Sequence, residues 1–191
     1  ALEQRRYVVR DDQGRFALGP RLGELAAGGA DDWLLRAAIP VLTDLRDAAG
    51  ASAQLYRPRG DLRLCVASVE PTSGLRDSVP AGTLLPMNAG SAAQVLLAWS
   101  DEGRIARACR DARFTPEDLA RVRKRGWAHS VAEREAGLAS LSAPVHGPDG
   151  QVRAAISASG PIERIGRAVR APMAKAVVHA GTRLSELLAG R

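Results

Sequence analysis

Serine side chains are the residues of this sequence whose spacing first suggests a chemical role. Ser157 and Ser159 lie two positions apart and alternate with apolar residues, and Ser140 and Ser142 repeat the pattern one segment earlier. In a β-strand, residues two apart point to the same face. A turn with the sequence GPDG joins the two segments. We therefore predict a hairpin with one apolar face and one face of hydroxyl groups.

A face of small hydroxyl residues admits two interpretations. Small side chains leave space and supply hydrogen-bond donors, as a pocket for a small polar ligand requires. A helix can instead pack closely over small residues while their hydroxyls bond to the backbone. The residues themselves favour neither interpretation over the other.

The segment GSAAQ, residues 90–94, predicts a helix whose first turn is made of small residues. The beginning of a helix offers free backbone N–H groups and a partial positive charge. Small side chains let an anion approach these groups closely. If this helix start points at the serine face, the two together would suit a carboxylate.

Catalytic and metal-binding patterns are missing from the sequence. There is no GxSxG motif, and His129, His146 and His179 lack the spacing of metal ligands or of a catalytic triad. Cys65 and Cys109 are interpreted as small packed hydrophobic residues. We expect no enzyme activity, no catalytic residue, no metal and no cofactor.

Cys109 is also compatible with a second interpretation, as a reactive cysteine. Such a cysteine needs cations nearby. Arg107 and Arg110 are its neighbours in sequence, and positive charge favours the reactive thiolate. A thiol-redox sensor therefore remains a competing interpretation of this region.

Composition limits the class of protein. The chain has 191 residues, of which 46% are hydrophobic and 25% charged, which is typical of a globular protein. No apolar run approaches the roughly 20 residues of a membrane helix, so we expect no membrane partner. Two cysteines without a CxxC motif suit a cytoplasmic protein. The net charge of +6 is compatible with a polyanionic partner.

Hydrophobic periodicity and turn residues predict an α+β fold with a mostly antiparallel central sheet flanked by helices. The chain begins with residues of structured character, and we expect it to be a piece of a longer protein. The predicted elements are a hairpin at 7–18, a short helix from 20 that stops at Gly28-Gly29, a helix at 31–49, strands at 51–57 and 62–69, a strand leading into a loop at 73–86, helices at 89–99, 101–111 and 115–125, strands at 127–131, 138–146 and 151–159, and a helix at 169–188.

Four blocks in order resemble the IclR family of bacterial transcription regulators. They are RRYVVRDDQGRFALGPRLGELA, LLPMNAGSAAQVLLAW, GWAHSVAEREAGLASLSAPV and AAISASGPIERI. The second block, with the residues before it, is similar to the NdgR- or LtbR-like actinobacterial subgroup. The resemblance implies a winged helix-turn-helix remnant (the wing) at 1–19, a linker helix at 20–30 and a GAF-like effector-binding domain at 31–191.

The same resemblance implies particular site residues. Ser130 stands where better-known members carry an acid, and Ser140 where they often carry cysteine, so we expect a pocket with more neutral hydroxyls. The implied effector-binding residues are Leu85, Ser91, Ala92, Ser130, Ser140, Ser157 and Ser159. The arginines of the wing implied to contact DNA are Arg5, Arg6 and Arg15, with Arg10 beside them.

The function that the resemblance implies is a ligand-responsive transcription regulator. It would bind double-stranded operator DNA as a homodimer or tetramer and sense a small metabolite, expected to be a carboxylate such as an amino or keto acid. The genes it controls would serve amino-acid metabolism. The alternatives are a thiol-redox sensor or small enzyme on a GAF-like scaffold, and a binding module with no role on DNA.

Overall fold

The structure, a computed structural model, describes residues 8–10, 14, 16–18 and 20–190. Its contacts divide the chain into two units, Ala1–Arg36 and Ala37–Arg191. The helices and strands, in chain order, are β1 (Val8–Arg10), β2 (Phe16–Leu18), α1 (Pro20–Ala49), β3 (Ser52–Arg59), β4 (Leu62–Val69), β5 (Leu84–Pro86), α2 (Ser91–Ala98), α3 (Glu102–Ala108), α4 (Pro116–Arg125), β6 (Ala128–Val131), β7 (Leu138–His146), β8 (Val152–Pro161), α5 (Ile162–Ile165) and α6 (Ala171–Ala189).

The first unit contains the predicted hairpin. Strands β1 and β2 pair antiparallel, with Val8 opposite Leu18 and Arg10 opposite Phe16. Gly14, between them, has a φ of +76°, which glycine adopts without steric cost. The arginines Arg5, Arg6 and Arg15 lie outside the described residues, so their role in DNA binding stays a prediction.

The helix expected to stop at Gly28-Gly29 does not stop there. Helix α1 continues from Pro20 to Ala49, so the prediction of a second helix beginning at Asp31 is wrong. A glycine inside a helix costs only about 1 kcal/mol relative to alanine. A helix of 30 residues can absorb two such costs. No proline stands directly after the glycine pair to end the helix, and Pro40 lies further along inside it.

The second unit is built on a six-stranded sheet with the strand order β5-β4-β3-β8-β7-β6. Every neighbouring pair in it is antiparallel, which confirms the predicted α+β class. Strands β7 and β8 form the predicted hairpin, with Ser142 opposite Ser157 and Ser140 opposite Ser159. The serines of the two strands therefore share one face of the sheet.

Both faces of this hairpin are covered by helices. Helix α2 packs across β6, β7 and β8 on the serine face, and α6 packs on β7 and β8. At Gly181 of α6, a Cβ atom would lie 2.6 Å from the carbonyl oxygen of Pro144 and 3.6 Å from a methyl of Ile156. Only glycine lets this helix approach the apolar face so closely.

The strand predicted at the start of 73–86 is instead a loop that leads into β5. Gly74, Pro80 and Gly82 interrupt strand pairing, since glycine and proline disfavour the interior of a sheet. The loop is anchored to β4, because the N–H of Gly82 donates to Cys65 and the N–H of Cys65 donates to Thr83. No helix in the described part of the chain is long and apolar enough to cross a membrane.

Candidate functional site

Five serines from four elements form one continuous row of hydrogen bonds, which we call the serine chain. Ser91 Oγ, at the start of α2, lies 2.7 Å from both Ser140 Oγ and Ser142 Oγ of β7. Ser140 Oγ continues the row to Ser130 of β6 at 3.0 Å, and Ser142 Oγ donates to Ser157 Oγ of β8 at 3.0 Å. Period-two spacing in the strands and the start of one helix thus bring five hydroxyls together.

The direction of the serine chain follows from counting hydrogens, because each hydroxyl has one to donate. Ser142 gives its hydrogen to Ser157, so Ser91 must donate to Ser142 and Ser140 to Ser91. Ser130 then donates to Ser140 and accepts from the N–H of Ser91 at 3.1 Å. Ser157 ends the row with a hydrogen that no other serine accepts.

Ser159 lies beside this row and bonds in another direction. Its hydroxyl donates to the side-chain oxygen of Gln54 on β3 at 3.0 Å. The side-chain nitrogen of Gln54 and the hydroxyl of Ser52 are buried and have no hydrogen-bond partner. Buried polar atoms without partners are rare in folded proteins, so this end of the serine face has hydrogen-bonding capacity to spare.

A small cavity lies against the serine face. Its volume of about 30 Å³ holds about two water molecules. A larger open depression of about 290 Å³ beside α3 brings together none of the predicted site residues. The lining of the small cavity is Tyr56, Arg63, Asp77, Gly90, Ser91, Ala92, Ser130, Glu133, Arg134, Leu138, Ala139, Ser140, Ser157 and Ser159.

Six of the seven predicted effector-site residues line this cavity, namely Ser91, Ala92, Ser130, Ser140, Ser157 and Ser159. Both interpretations of the serine face therefore hold in part, because α2 packs over the serines and a cavity remains beside them. Leu85 is not among the lining residues. It lies on β5 opposite Arg63 and packs against the apolar cluster around Cys65 and Val95.

Four charged side chains, which the prediction of more neutral hydroxyls did not include, also line the cavity. These are Arg63, Asp77, Glu133 and Arg134. Residues 132–137 lie between two predicted strands, where charged residues are usually solvated, and Asp77 lies in the segment predicted as a strand leading into a loop at 73–86. Their sequence neighbours carry no periodic signal that would turn them inward, so only the tertiary structure identifies them.

The start of α2 is not the free anion site that its small residues predict. The N–H of Gly90 donates to Glu133 Oε2 at 2.8 Å, and the N–H of Ser91 is used by Ser130. The amide of Gln94 donates to the other oxygen of Glu133 at 2.9 Å. Burial raises the pKa of Glu133, although these two hydrogen bonds favour its charged form. A carboxylate of the chain itself therefore occupies this helix start.

An ion pair spans the cavity from the loop before β5 to the segment after β6. Arg134 Nη2 donates to both carboxylate oxygens of Asp77, at 2.5 and 2.6 Å. Asp77 is only 6% exposed. Burial alone would lower the pKa of Arg134, but the bonds to Asp77 outweigh it and raise that pKa. The pair holds two chain segments together over the cavity.

Arg63 on β4 contributes a further charge to the cavity. Its Nη1 donates to the carbonyl oxygen of Pro86, and its guanidinium lies 5.6 Å from the centre of the Tyr56 ring. Burial also raises the pKa of the Tyr56 hydroxyl, so this ring stays neutral. Arg63 is 3% exposed.

The two cysteines do not have the surroundings of redox sensors. Cys65 is fully buried, and burial raises its pKa to about 12. Burial together with the negative charges of Glu117 and Asp118 raises the pKa of Cys109. The expectation that neighbouring arginines would favour its thiolate is therefore wrong. The described residues contain no group of His, Cys, Asp and Glu suited to hold a metal ion.

The fold of this chain is shared with a solved bacterial structure. The structure of an IclR transcriptional regulator from Silicibacter sp. TM1040 is similar over 100% of this chain and 81% of that chain, with a TM-score of 0.78 and 22% identity. The class is thus the α+β fold seen in solved bacterial transcriptional regulators.

Sequence comparison identifies the family. Residues 32–186 match the family described as "Bacterial transcriptional regulator IclR C-terminal". The chain therefore belongs to the IclR family.

Two relatives show how much of a whole regulator the chain represents. The HTH-type transcriptional regulator BhcR of Paracoccus denitrificans is 33% identical over 171 residues, 83% of this chain and 61% of its own length. The transcriptional repressor IclR of Escherichia coli is 31% identical over 69% of this chain and 54% of its own length. The chain spans little more than half of these two relatives. Both are transcriptional regulators, so the enzyme alternative has no support from them.

Proposed function

We propose that this chain is the effector-sensing part of a transcription regulator that binds double-stranded operator DNA and responds to a small carboxylate. One observation carries the proposal. Six residues expected to bind an effector come from α2, β6, β7 and β8 and line a single polar cavity.

The names of the relatives support DNA binding and leave the effector open. One is called a repressor and the other a regulator, and neither name states a ligand. The wing at 1–19, linker helix at 20–30 and effector domain at 31–191 are part of this proposal. So are the cytoplasmic location, the homodimer or tetramer, the NdgR- or LtbR-like subgroup and the control of amino-acid metabolism.

The size of the cavity implies how an effector enters. A volume of about 30 Å³ is smaller than an amino or keto acid needs, since those acids have more atoms than two water molecules. We therefore expect an effector to enlarge the cavity by displacing the loop before β5 or the segment after β6, and with it the Asp77–Arg134 pair. Binding energy spent on this opening is then coupled to how subunits pair and how the winged helices meet DNA half-sites.

The proposal is tested by titrating the protein with small amino and keto acids in a calorimeter. We expect one acid to release heat, and we expect the double variant Ser157→Ala/Ser159→Ala to weaken its binding at least about tenfold, because two hydroxyl donors are lost.

Ser73→Ala is the matched control, since Ser73 is exposed and lies outside the cavity. It should bind the acid as the wild type does. Unchanged heat in the double variant would remove the effector site from this cavity.

A further inference from the structure

Two charged side chains are buried in the described part of the chain, and they differ in one respect. Asp77 has an ionic partner, because Arg134 donates two hydrogen bonds to it. Arg63 has no carboxylate within ion-pair distance, and its Nε atom is buried without any hydrogen-bond partner. Its bond to the carbonyl of Pro86 is to a neutral group.

An unpaired buried charge is costly, so proteins normally supply a counter-charge for it. Burial lowers the pKa of Arg63 to about 10, which still leaves its guanidinium protonated near neutral pH. The face of the Tyr56 ring gives it a weak cation–π contact. The carboxylates of Glu133 and Asp77 line the same cavity and favour the charged form of Arg63, but neither forms an ion pair with it. Arg63 is therefore the buried cation of the cavity without an ionic partner of its own.

Arg63 and the start of α2 fit each other closely. Gly90 has a φ of +94°, and a Cβ atom at that position would lie 3.3 Å from Nη2 of Arg63. A side chain there would crowd the guanidinium as well as strain the backbone. Glycine at this position keeps the Nη2 side of Arg63 clear of side-chain atoms.

Two backbone donors at this helix start are already used, because Glu133 accepts from Gly90 and Ser130 accepts from Ser91. Arg63 and the unused hydrogen of Ser157 are further donors on the lining of the cavity.

We propose that Arg63 is the ionic anchor that binds the carboxylate of the effector. This role rests on the proposed function of the cavity as an effector site. It makes the negative charge of the ligand the property that the site recognises. A neutral molecule of the same shape leaves the guanidinium unpaired and binds weakly.

The experiment compares acids with their neutral amides on the 191-residue chain. The probes are acetate, lactate, alanine and valine, each paired with its carboxamide, measured by calorimetry and by thermal unfolding. The variants are Arg63→Met, which removes the charge, and Arg63→Lys, which keeps it. Arg153→Met is the control, because Arg153 is an exposed arginine that pairs with Asp149 on the surface. Circular dichroism verifies that each variant is folded.

We expect the wild type to bind at least one acid and to bind its amide much more weakly. Arg63→Met should weaken binding of that acid about 10- to 100-fold, the loss expected for a hydrogen bond between charged groups. It should also remove the preference for acid over amide. Arg63→Lys should fall between the two, because lysine keeps the charge without the planar fork. Arg153→Met should behave as the wild type does.

Two results overturn the role of Arg63 alone. In the first, the acid binds Arg63→Met as tightly as it binds the wild type. In the second, the wild type binds amide and acid equally. If no acid binds the wild type, the carboxylate proposal itself fails, which is a different outcome. If Arg63→Met does not fold, Arg63→Lys and the preference of the wild type for acid over amide decide the question.

Discussion

The cavity has two walls, which differ in the kind of side chain they present and in the elements that supply it. The serine wall consists of Ser91, Ser130, Ser140, Ser157 and Ser159. All but Ser159 belong to the neutral row of hydroxyls that Ser142 completes. The charged wall consists of Arg63, Asp77, Glu133 and Arg134. Strand register and the start of α2 bring the serine wall together. Three of the four charged side chains, those of Asp77, Glu133 and Arg134, come from segments between strands, and Arg63 comes from β4.

This difference predicts in which wall a substitution lowers the stability of the fold more. A neutral hydrogen bond contributes about 1 kcal/mol net, whereas a buried ionic group left without its partner costs several times as much. Single substitutions should therefore destabilise the charged wall more than the serine wall.

The largest loss is expected from Asp77→Ala. It removes the carboxylate that pairs with Arg134, which is 25% exposed and so recovers part of its solvation. We expect the free energy of unfolding in denaturant to fall by about 2–3 kcal/mol, below the full cost of breaking a fully buried pair.

Arg76→Ala is the matched control, because it breaks the more exposed pair with Glu70. Its loss should stay below about 1 kcal/mol. Equal losses in the two variants would mean that the Asp77–Arg134 pair is no stronger than a surface contact.

A smaller loss is expected on the serine wall from Ser91→Ala. The substitution removes two contacts of 2.7 Å and leaves the hydroxyl of Ser140 without its acceptor. The free energy of unfolding should fall by about 1–2 kcal/mol, the lower part of the range for an unsatisfied buried hydroxyl. Ser73→Ala, on the exposed loop, should change it by less than about 0.5 kcal/mol. A loss for Ser91→Ala that equals this control would show that the row adds no stability.

The smallest expected effect is a change in how stability depends on pH when Glu133, a residue of the charged wall, is substituted. Burial raises the pKa of Glu133 in the folded state. Its contribution to the free energy of unfolding is therefore fully present below the pKa of the unfolded state, and it is lost as pH rises through the pKa of the folded state. Glu133→Gln should remove this loss of stability. The measurement is the midpoint of unfolding at a series of pH values between about 4 and 8, the range in which buried carboxyl groups titrate.

Glu117→Gln gives the opposite sign. A hydrogen bond from Thr115 lowers the pKa of Glu117, so the stability it contributes is present at higher pH and lost as pH falls. If Glu133→Gln shifted the profile in the same direction as Glu117→Gln, the assigned direction for Glu133 would be wrong.

Local chemistry made much of the fold predictable. The helix predicted at 115–125 is α4, which begins with a capping box in which Thr115 and Asp118 bond reciprocally and with Pro116 in its first turn. The two-residue period of the β7–β8 hairpin correctly predicts that its serines share one face. The prediction at Gly28-Gly29 was wrong because intrinsic propensity is a small energy within a long helix.

The site was predictable only on its serine wall. Period-two spacing places Ser157 and Ser159 on one face, and the family resemblance adds Ser91 and Ser130. Nothing in the local sequence of Glu133 indicates that its carboxylate caps a helix that begins about forty residues earlier. Such a contact depends on the path of the whole chain, which residue periodicity does not encode.

The glycine at position 181 has a consequence for how α6 and the cavity affect each other. Its backbone rests directly against the carbonyl of Pro144, and β7, the strand that carries this carbonyl, also carries Ser140 and Ser142. At this point a single strand, β7, lies between α6 and the hydroxyl of Ser140 that lines the cavity. Position 181 has no side chain that could absorb a displacement of α6. Such a displacement therefore acts directly on the backbone of β7, which carries the two hydroxyls.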